Sequence, residues 1–251
     1  MIVLSLSMGF AIAQKPKAKL KTKFSYQFQR EDGTNASAVA WNPDQEIYAT
    51  VIAGNTSFPF ETFGRNGEVL EQSEATFDWR GLWYNPKTKR FEGNGAGEEG
   101  WVAANADDKG SLEEVESLLS GQYQPDFQSV GTFDYLTNKV AFFNFENITL
   151  DFYPYGDPAN IESVELDIDA GDVENLNSTT VGFTGKSGYE FVLLDFNNGK
   201  LVFFDRQGKQ TATSKFAKDA VLSDMFCFSF TNGHAFLYDK DARTWYAYKV
   251  F

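Results

Sequence analysis

Apolar and polar residues alternate with a period of two through much of the chain, as in KFSYQFQ at 23–29, EIYATVI at 46–52, KLVFFD at 200–205 and TWYAYKVF at 244–251. Successive side chains of a strand point to opposite faces, so this alternation predicts β-strands with one buried face. Many short aromatic and β-branched segments separated by turn residues predict an all-β chain: a sandwich, a barrel or a propeller. One segment reads differently. In SLEEVESLLSG at 111–121, Ser111 can cap a helix and Glu114 completes the capping box. Leu112, Val115, Leu118 and Leu119 then share a helical face, with Gly121 as the stop. The expectation is one short helical insertion in an otherwise β fold.

An internal repeat selects among the β architectures. A strand ending in an aromatic residue or Leu, then Asn or Asp, a polar turn and an aromatic strand recurs as WNPDQEIYA, WYNPKTKRFEG, FDYLTNKVAFF, LDFNNGKLVFF and YDKDARTWYAY. The turn-opening residues are Asn42, Asn85, Asp134, Asp195 and Asp239, where a short acceptor side chain can bond the backbone two residues on and build the turn. Their intervals of 43, 49, 61 and 44 residues centre on the length of a four-stranded propeller blade. Arg65-Asn66-Gly67 and Arg206-Gln207-Gly208 follow strands ending at Phe63 and Phe204, and read as outer hairpins of a blade.

These units resemble the NHL-like and YncE-like β-propeller repeats, in which "strand, Asp/Asn-Pro-x-x-x, aromatic strand" is followed by a strand and a Phe-Asp-x-x-Gly turn. That turn is met in full at Phe204, Asp205 and Gly208. The resemblance spans most of 24–251 and implies a propeller, with no site residue carried over. Five units predict five blades, or six if the longest interval hides a degenerate one around 164–183; an open sandwich is the alternative. A closed ring should pair the N-terminal strand near 24–30 with the blade that holds 244–251, since closure limits exposed sheet edges.

Composition narrows the chemistry. The 251 residues include 25 Phe and 11 Tyr but one His and one Cys, too few for a nitrogen and sulfur zinc site and insufficient for an internal disulfide. Cys227 is expected to be a buried, inert thiol. The net charge is −13, yet Lys15, Lys17, Lys19, Lys21 and Lys23 hold five of the 22 basic groups, leaving 17 basic against 35 acidic residues elsewhere. Such a body repels phosphate backbones, so nucleic acid is not an expected partner, whereas a neutral glycan or a protein ligand is. The apolar, uncharged residues 1–13 end in Ala11-Ile12-Ala13, a small-x-small pattern that signal peptidase accepts. The expected organisation is a signal peptide at 1–13, a solvated lysine-rich arm at 14–23 and one propeller domain at 24–251. That organisation predicts a secreted or periplasmic monomer without membrane insertion.

Few residue groups suggest chemistry. GFTGKS at 182–187 lacks the first glycine of a phosphate loop, because Thr180 stands there, and YEFVLLDF after it reads as a strand rather than a helix. Asp167, Asp169 and Asp172 form an oxygen-rich loop that could accept calcium, although Gly171 and Ser178 depart from the EF-hand pattern. GNGAGEEG at 93–100 could form a mobile lid or a plain loop. Asp78, Asp134, Asp195 and Asp239 lie near hairpins, where a carboxylate pair reaching a central funnel would support glycoside hydrolysis. His234 follows Asn232-Gly233 and reads as a turn residue. An arginine within an aromatic strand needs a partner or a ligand, so Trp79, Arg80 and Trp83 are the expected ligand-binding residues, capped by the glycine-rich segment and the helix. The function read from this is a binding or interaction module; the alternatives are a carbohydrate-active hydrolase and a structural module of a surface assembly.

Overall fold

Twenty strands assemble into five four-stranded antiparallel sheets in the computed structural model, which describes residues 14–251 apart from 31, 32, 34 and 108, and apart from the side chain at 170. The expected signal peptide lies outside the described residues. Strand β1 (Thr22–Gln27) belongs to the last sheet. The first blade is β2 (Asn35–Asn42), β3 (Ile47–Ala53), β4 (Pro59–Phe63) and β5 (Val69–Glu74). The second is β6 (Trp83–Asn85), β7 (Arg90–Asn94), β8 (Trp101–Ala106) and β9 (Leu112–Leu119). The third is β10 (Thr132–Asp134), β11 (Lys139–Asn144), β12 (Thr149–Pro154) and β13 (Glu162–Glu165). The fourth is β14 (Gly182–Phe183), β15 (Phe191–Asp195), β16 (Lys200–Phe204) and β17 (Gln210–Lys215). In the fifth, β18 (Phe228–Thr231), β19 (His234–Asp239) and β20 (Thr244–Lys249) are completed by β1. The inner strands β2, β6, β10, β14 and β18 neighbour one another in a ring, so the chain is a five-bladed β-propeller.

Closure falls where the sequence predicts it. Strand β1 runs antiparallel to β20, with Tyr26 opposite Trp245. The Tyr26 phenol donates to the buried Glu61 carboxylate of the first blade at 2.5 Å, and the backbone N–H groups of Gln29 and Arg30 donate to the same carboxylate. That triple bond set latches the last blade to the first. Phe and Tyr fill the seams between blades: Tyr26 stacks on Phe63 at 4.1 Å, and Phe152 meets Phe191 edge-on at 5.3 Å. This packing absorbs most of the aromatic excess.

The repeated turn has a common backbone. Four residues after each opening Asn or Asp stands a residue in the left-handed region: Glu46, Lys89, Asn138, Gly199 and Arg243, with φ between 51° and 62°. The opening side chains accept turn amides, as Asn42 does from Asp44 and Gln45, and Asp239 from Asp241 and Ala242. Asn144 opens a sixth such turn, with Ile148 at φ 56°. The turns at Asn42, Asn85 and Asp134 join the first and second strands of their blades; those at Asn144, Asp195 and Asp239 join the second and third. The long interval therefore contains a change of position by one strand, and no sixth blade.

The predicted helix is instead β9, the outer strand of the second blade. Its pairing with β8 skips Glu113 and Leu118, and these two bulges reset the alternation. Leu112 and Val115 then pack on one cluster and Leu118 and Leu119 on another, so the apolar residues that outline a helical stripe serve two sides of a strand. Among the described residues, helix is confined to 3₁₀ turns at Gly97–Glu99 and Ala170–Asn175. The glycine-rich segment is not a lid either: residues 93–97 and 100 are buried, with Glu98 and Glu99 exposed, and a Cβ at Gly93 would fall 2.1 Å from the Gly81 carbonyl oxygen and 2.7 Å from the Trp79 ring. Glycine is required there by close approach.

Candidate functional site

Each inner strand runs from the connection with the preceding blade to its own inner hairpin, so five hairpins gather at one end of the ring and five connections at the other. A cavity of about 510 Å³ occupies the hairpin end. Its floor is Ala38, Leu82, Val130, Thr180 and Ser229, and its rim carries Trp41, Tyr84, Tyr135, Lys186 and Asn232. Bonds between inner strands close the floor: the Ser229 hydroxyl accepts from Val39 N–H and donates to Val39 C=O, both at 3.0 Å, and Val130 N–H donates to Thr179 C=O at 2.9 Å.

The rim is aromatic and held from outside the cavity. Trp41 packs on Tyr48 at 4.5 Å beneath the Arg65 guanidinium, and the Tyr84 hydroxyl donates to Asp44 at 2.7 Å. Tyr135 meets Phe183 edge-on and stays 46% exposed. Asn232 donates to the Tyr48 hydroxyl at 2.9 Å. Burial, reinforced by nearby aspartate charge, raises the pKa of both Tyr84 and Tyr135, so both stay protonated phenols. Lys186 is the only charged side chain on the described wall, and its ammonium lies 5.9 Å from the centre of the Phe251 ring. The arrangement offers ring faces and uncharged hydrogen-bonding groups, a combination suited to a neutral ligand.

The connection end is plugged. Arg80, 4% exposed, donates to Asp78 at 2.5 Å and Gln128 at 2.7 Å, and its guanidinium lies 5.8 Å from the centre of the Phe226 ring. Asn94 donates to Gln124 and to Ser129 C=O while accepting from Gly131 N–H, and Asn177 donates to Ser223 C=O and Phe226 C=O. These side chains tie connections of different blades together. Cys227 lies in this plug, its thiol pushed up to about 11 by burial, as expected of an inert cysteine.

The three aromatic-strand residues are not gathered on an exposed surface. Trp79 is fully buried and donates to Ala75 C=O, and Arg80 belongs to the plug; Trp83 lines the central cavity, its indole N–H donating to Glu92 and its ring edge-on to Trp101. None of Asp78, Asp134, Asp195 and Asp239 lines the central cavity. Asp134 is sealed by Thr137 and Arg206, and Asp195 by Asn198 and Lys200. Asp167, Asp169 and Asp172 line a separate hollow of about 320 Å³ beside the Lys200–Asp195 pair; among the described residues no three His, Cys, Asp or Glu side chains come together as ion ligands. His234 opens strand β19 beside the Asn232-Gly233 turn, with Nδ1 2.8 Å from Asn232 C=O. Segment 182–187 runs into strand β15, as the rejected phosphate loop requires. The lysine-rich arm is docked through its backbone while Lys15, Lys17, Lys19 and Lys21 stay exposed: Lys17 N–H donates to Val250 C=O at 3.0 Å, and the N–H of Leu20, 2% exposed, donates to Lys215 C=O.

The sequence does not single out this rim by itself, although its signal is present. Trp41, Tyr84 and Tyr135 each adjoin a turn-opening residue, Asn42, Asn85 or Asp134, of an inner hairpin. Only the change of strand position within the repeat hid which turns face the axis.

No protein-family model matches the sequence, and no curated protein matches it. Among solved structures, Myxococcus xanthus glutaminyl cyclase aligns over 94% of this chain and 98% of its own, with a TM-score of 0.60 and 10% identity. The Cps50 (Swd1) β-propeller domain of Myceliophteria thermophila aligns over 96% and 98% at 8% identity and a TM-score of 0.49. A gluconolactonase from Xanthomonas campestris aligns over 96% and 89% at 11% identity and 0.45. The likeness to the cyclase is one of fold, and with the five sheets it defines the chain as a β-propeller.

Proposed function

We propose that this propeller is an exported binding module that holds a neutral glycan in the cavity at its hairpin end. The observation that carries the reading is the wall itself: aromatic rim residues and small polar groups surround a space of about 510 Å³ in which Lys186 is the only charged described side chain. Sugar rings present apolar faces to aromatic side chains and hydroxyls to groups such as Asn232 and the Tyr84 phenol. Hydrolysis by a carboxylate pair, the competing reading, needs two carboxylates flanking the bond. The described wall carries no Asp or Glu side chain.

The test is a titration of the protein from residue 14 onward with neutral cello-, chito- and malto-oligosaccharides, followed by tryptophan fluorescence, in parallel with chromogenic glycosides and a peptide beginning with glutamine. Saturable binding without turnover supports the reading. Glycoside cleavage, or ammonia release from the glutamine peptide, replaces it with an enzymatic one, and absence of binding to every sugar overturns the glycan assignment.

A further inference from the structure

We propose that Gln14 is a modification site: freed as the first residue of the exported chain, it closes to pyroglutamate, and the uncharged lactam seats at the mouth of the central cavity. Three observations meet at this residue. Gln14 directly follows Ala11-Ile12-Ala13, the pattern after which signal peptidase cuts. It is one of the residues lining the central cavity. The arm behind it is fixed: Lys17 N–H donates to Val250 C=O at 3.0 Å, Lys215 N–H to Ala18 C=O at 2.9 Å and Leu20 N–H to Lys215 C=O at 2.8 Å. From Lys17 back to Gln14 only three residues of leash remain, about 10 Å at full extension, and Pro16 fixes one of their φ angles. The chain end is therefore held at the cavity.

The chemistry is self-contained. Signal peptidase hydrolyses the Ala13–Gln14 bond with water and leaves a free α-amine on Gln14. That nitrogen attacks the carboxamide carbon of its own side chain, a new C–N bond closes a five-membered lactam, the old C–N bond breaks, and ammonia leaves with the displaced nitrogen. No oxidant or reductant enters. The lactam carries no charge, keeps one N–H donor and one C=O acceptor, and presents a compact ring to an aromatic rim. The seat rests on the same cavity as the proposed glycan site, whereas the modification does not.

The experiment uses the full chain expressed in a secreting host. Intact mass should equal residues 14–251 less one ammonia, with the N-terminal peptide blocked to Edman degradation. A free glutamine end, or a chain beginning elsewhere, overturns the modification. Pyroglutamyl aminopeptidase tests the seat: the native protein should resist it and the denatured protein should lose its first residue at least tenfold faster. Equal release from both states overturns the seat. Neither readout uses a sugar, so failure here is distinguishable from failure of the glycan reading.

Discussion

The two ends of the ring are built from the same blades yet differ in kind. At the connection end, Arg80, Asn94, Gln124 and Asn177 spend their polar groups on one another and on backbone carbonyls, and little of them meets solvent. At the hairpin end, Trp41, Tyr84 and Tyr135 are anchored on their outer sides and leave ring surface at the cavity. A buried polar network fixes geometry because a group without its partner is costly. A solvent-facing aromatic rim carries no such penalty and is free to meet a ligand. On the proposed reading, recognition belongs to the hairpins and structural integrity to the connections.

Substitutions should separate the two. Arg80→Ala removes the cation between Asp78 and Gln128 and leaves Asp78 largely desolvated, so chemical denaturation should show a loss of about 3 kcal/mol. A change within about 0.5 kcal/mol, the range of ordinary surface substitutions, would move Arg80 out of the structural network. Tyr26→Phe takes one donor from the buried Glu61 carboxylate that latches the ring while two backbone donors remain, and a loss of about 2 kcal/mol is expected in the same assay. Lys89→Gly relieves an exposed left-handed residue in an inner hairpin and should raise stability by about 1 kcal/mol, without affecting the plug.

The smallest effect belongs to His234. Burial lowers its pKa below the ordinary 6.5, with Lys249, Lys17 and Lys23 acting in the same direction and the bond to Asn232 C=O opposing. The folded state thus prefers the neutral ring. Its contribution is present above the unfolded value and is lost as pH falls through the folded one. Comparing denaturation near pH 7.5 and near pH 5, His234→Gln should lose less stability on acidification than the parent. An equal loss in both would show that acidic residues alone set the slope.

Much of the fold was legible in the sequence because it depends on local rules: alternation marks strands, Asn and Asp mark turns, and recurrence marks blades. Ring closure through β1 and β20 followed from the need to remove edges. Two things were not legible. Strand β9 carries a helical stripe because its two bulges mimic a longer period, and only the clusters on either side of it decide the matter. The repeat changed its place within the blade between Asp134 and Asp195, which concealed the inner hairpins and drew attention to Trp79 and Arg80; Trp79 is buried against Gly93, where a Cβ would fall 2.7 Å from its ring. Arginine among aromatics does need a partner; here that partner is Asp78 and Gln128.

The division between the two ends is tested most directly by one paired titration. Tyr135 and Phe127 are both exposed aromatic residues, 46% and 54% accessible, one at the cavity rim and the other in the connection between the second and third blades. Affinity for the best-bound neutral oligosaccharide should fall about tenfold in Tyr135→Ala, the loss of one ring contact, and remain unchanged in Phe127→Ala, with both variants melting within a few degrees of the parent. A loss confined to Phe127→Ala would place recognition at the connection end and contradict the account.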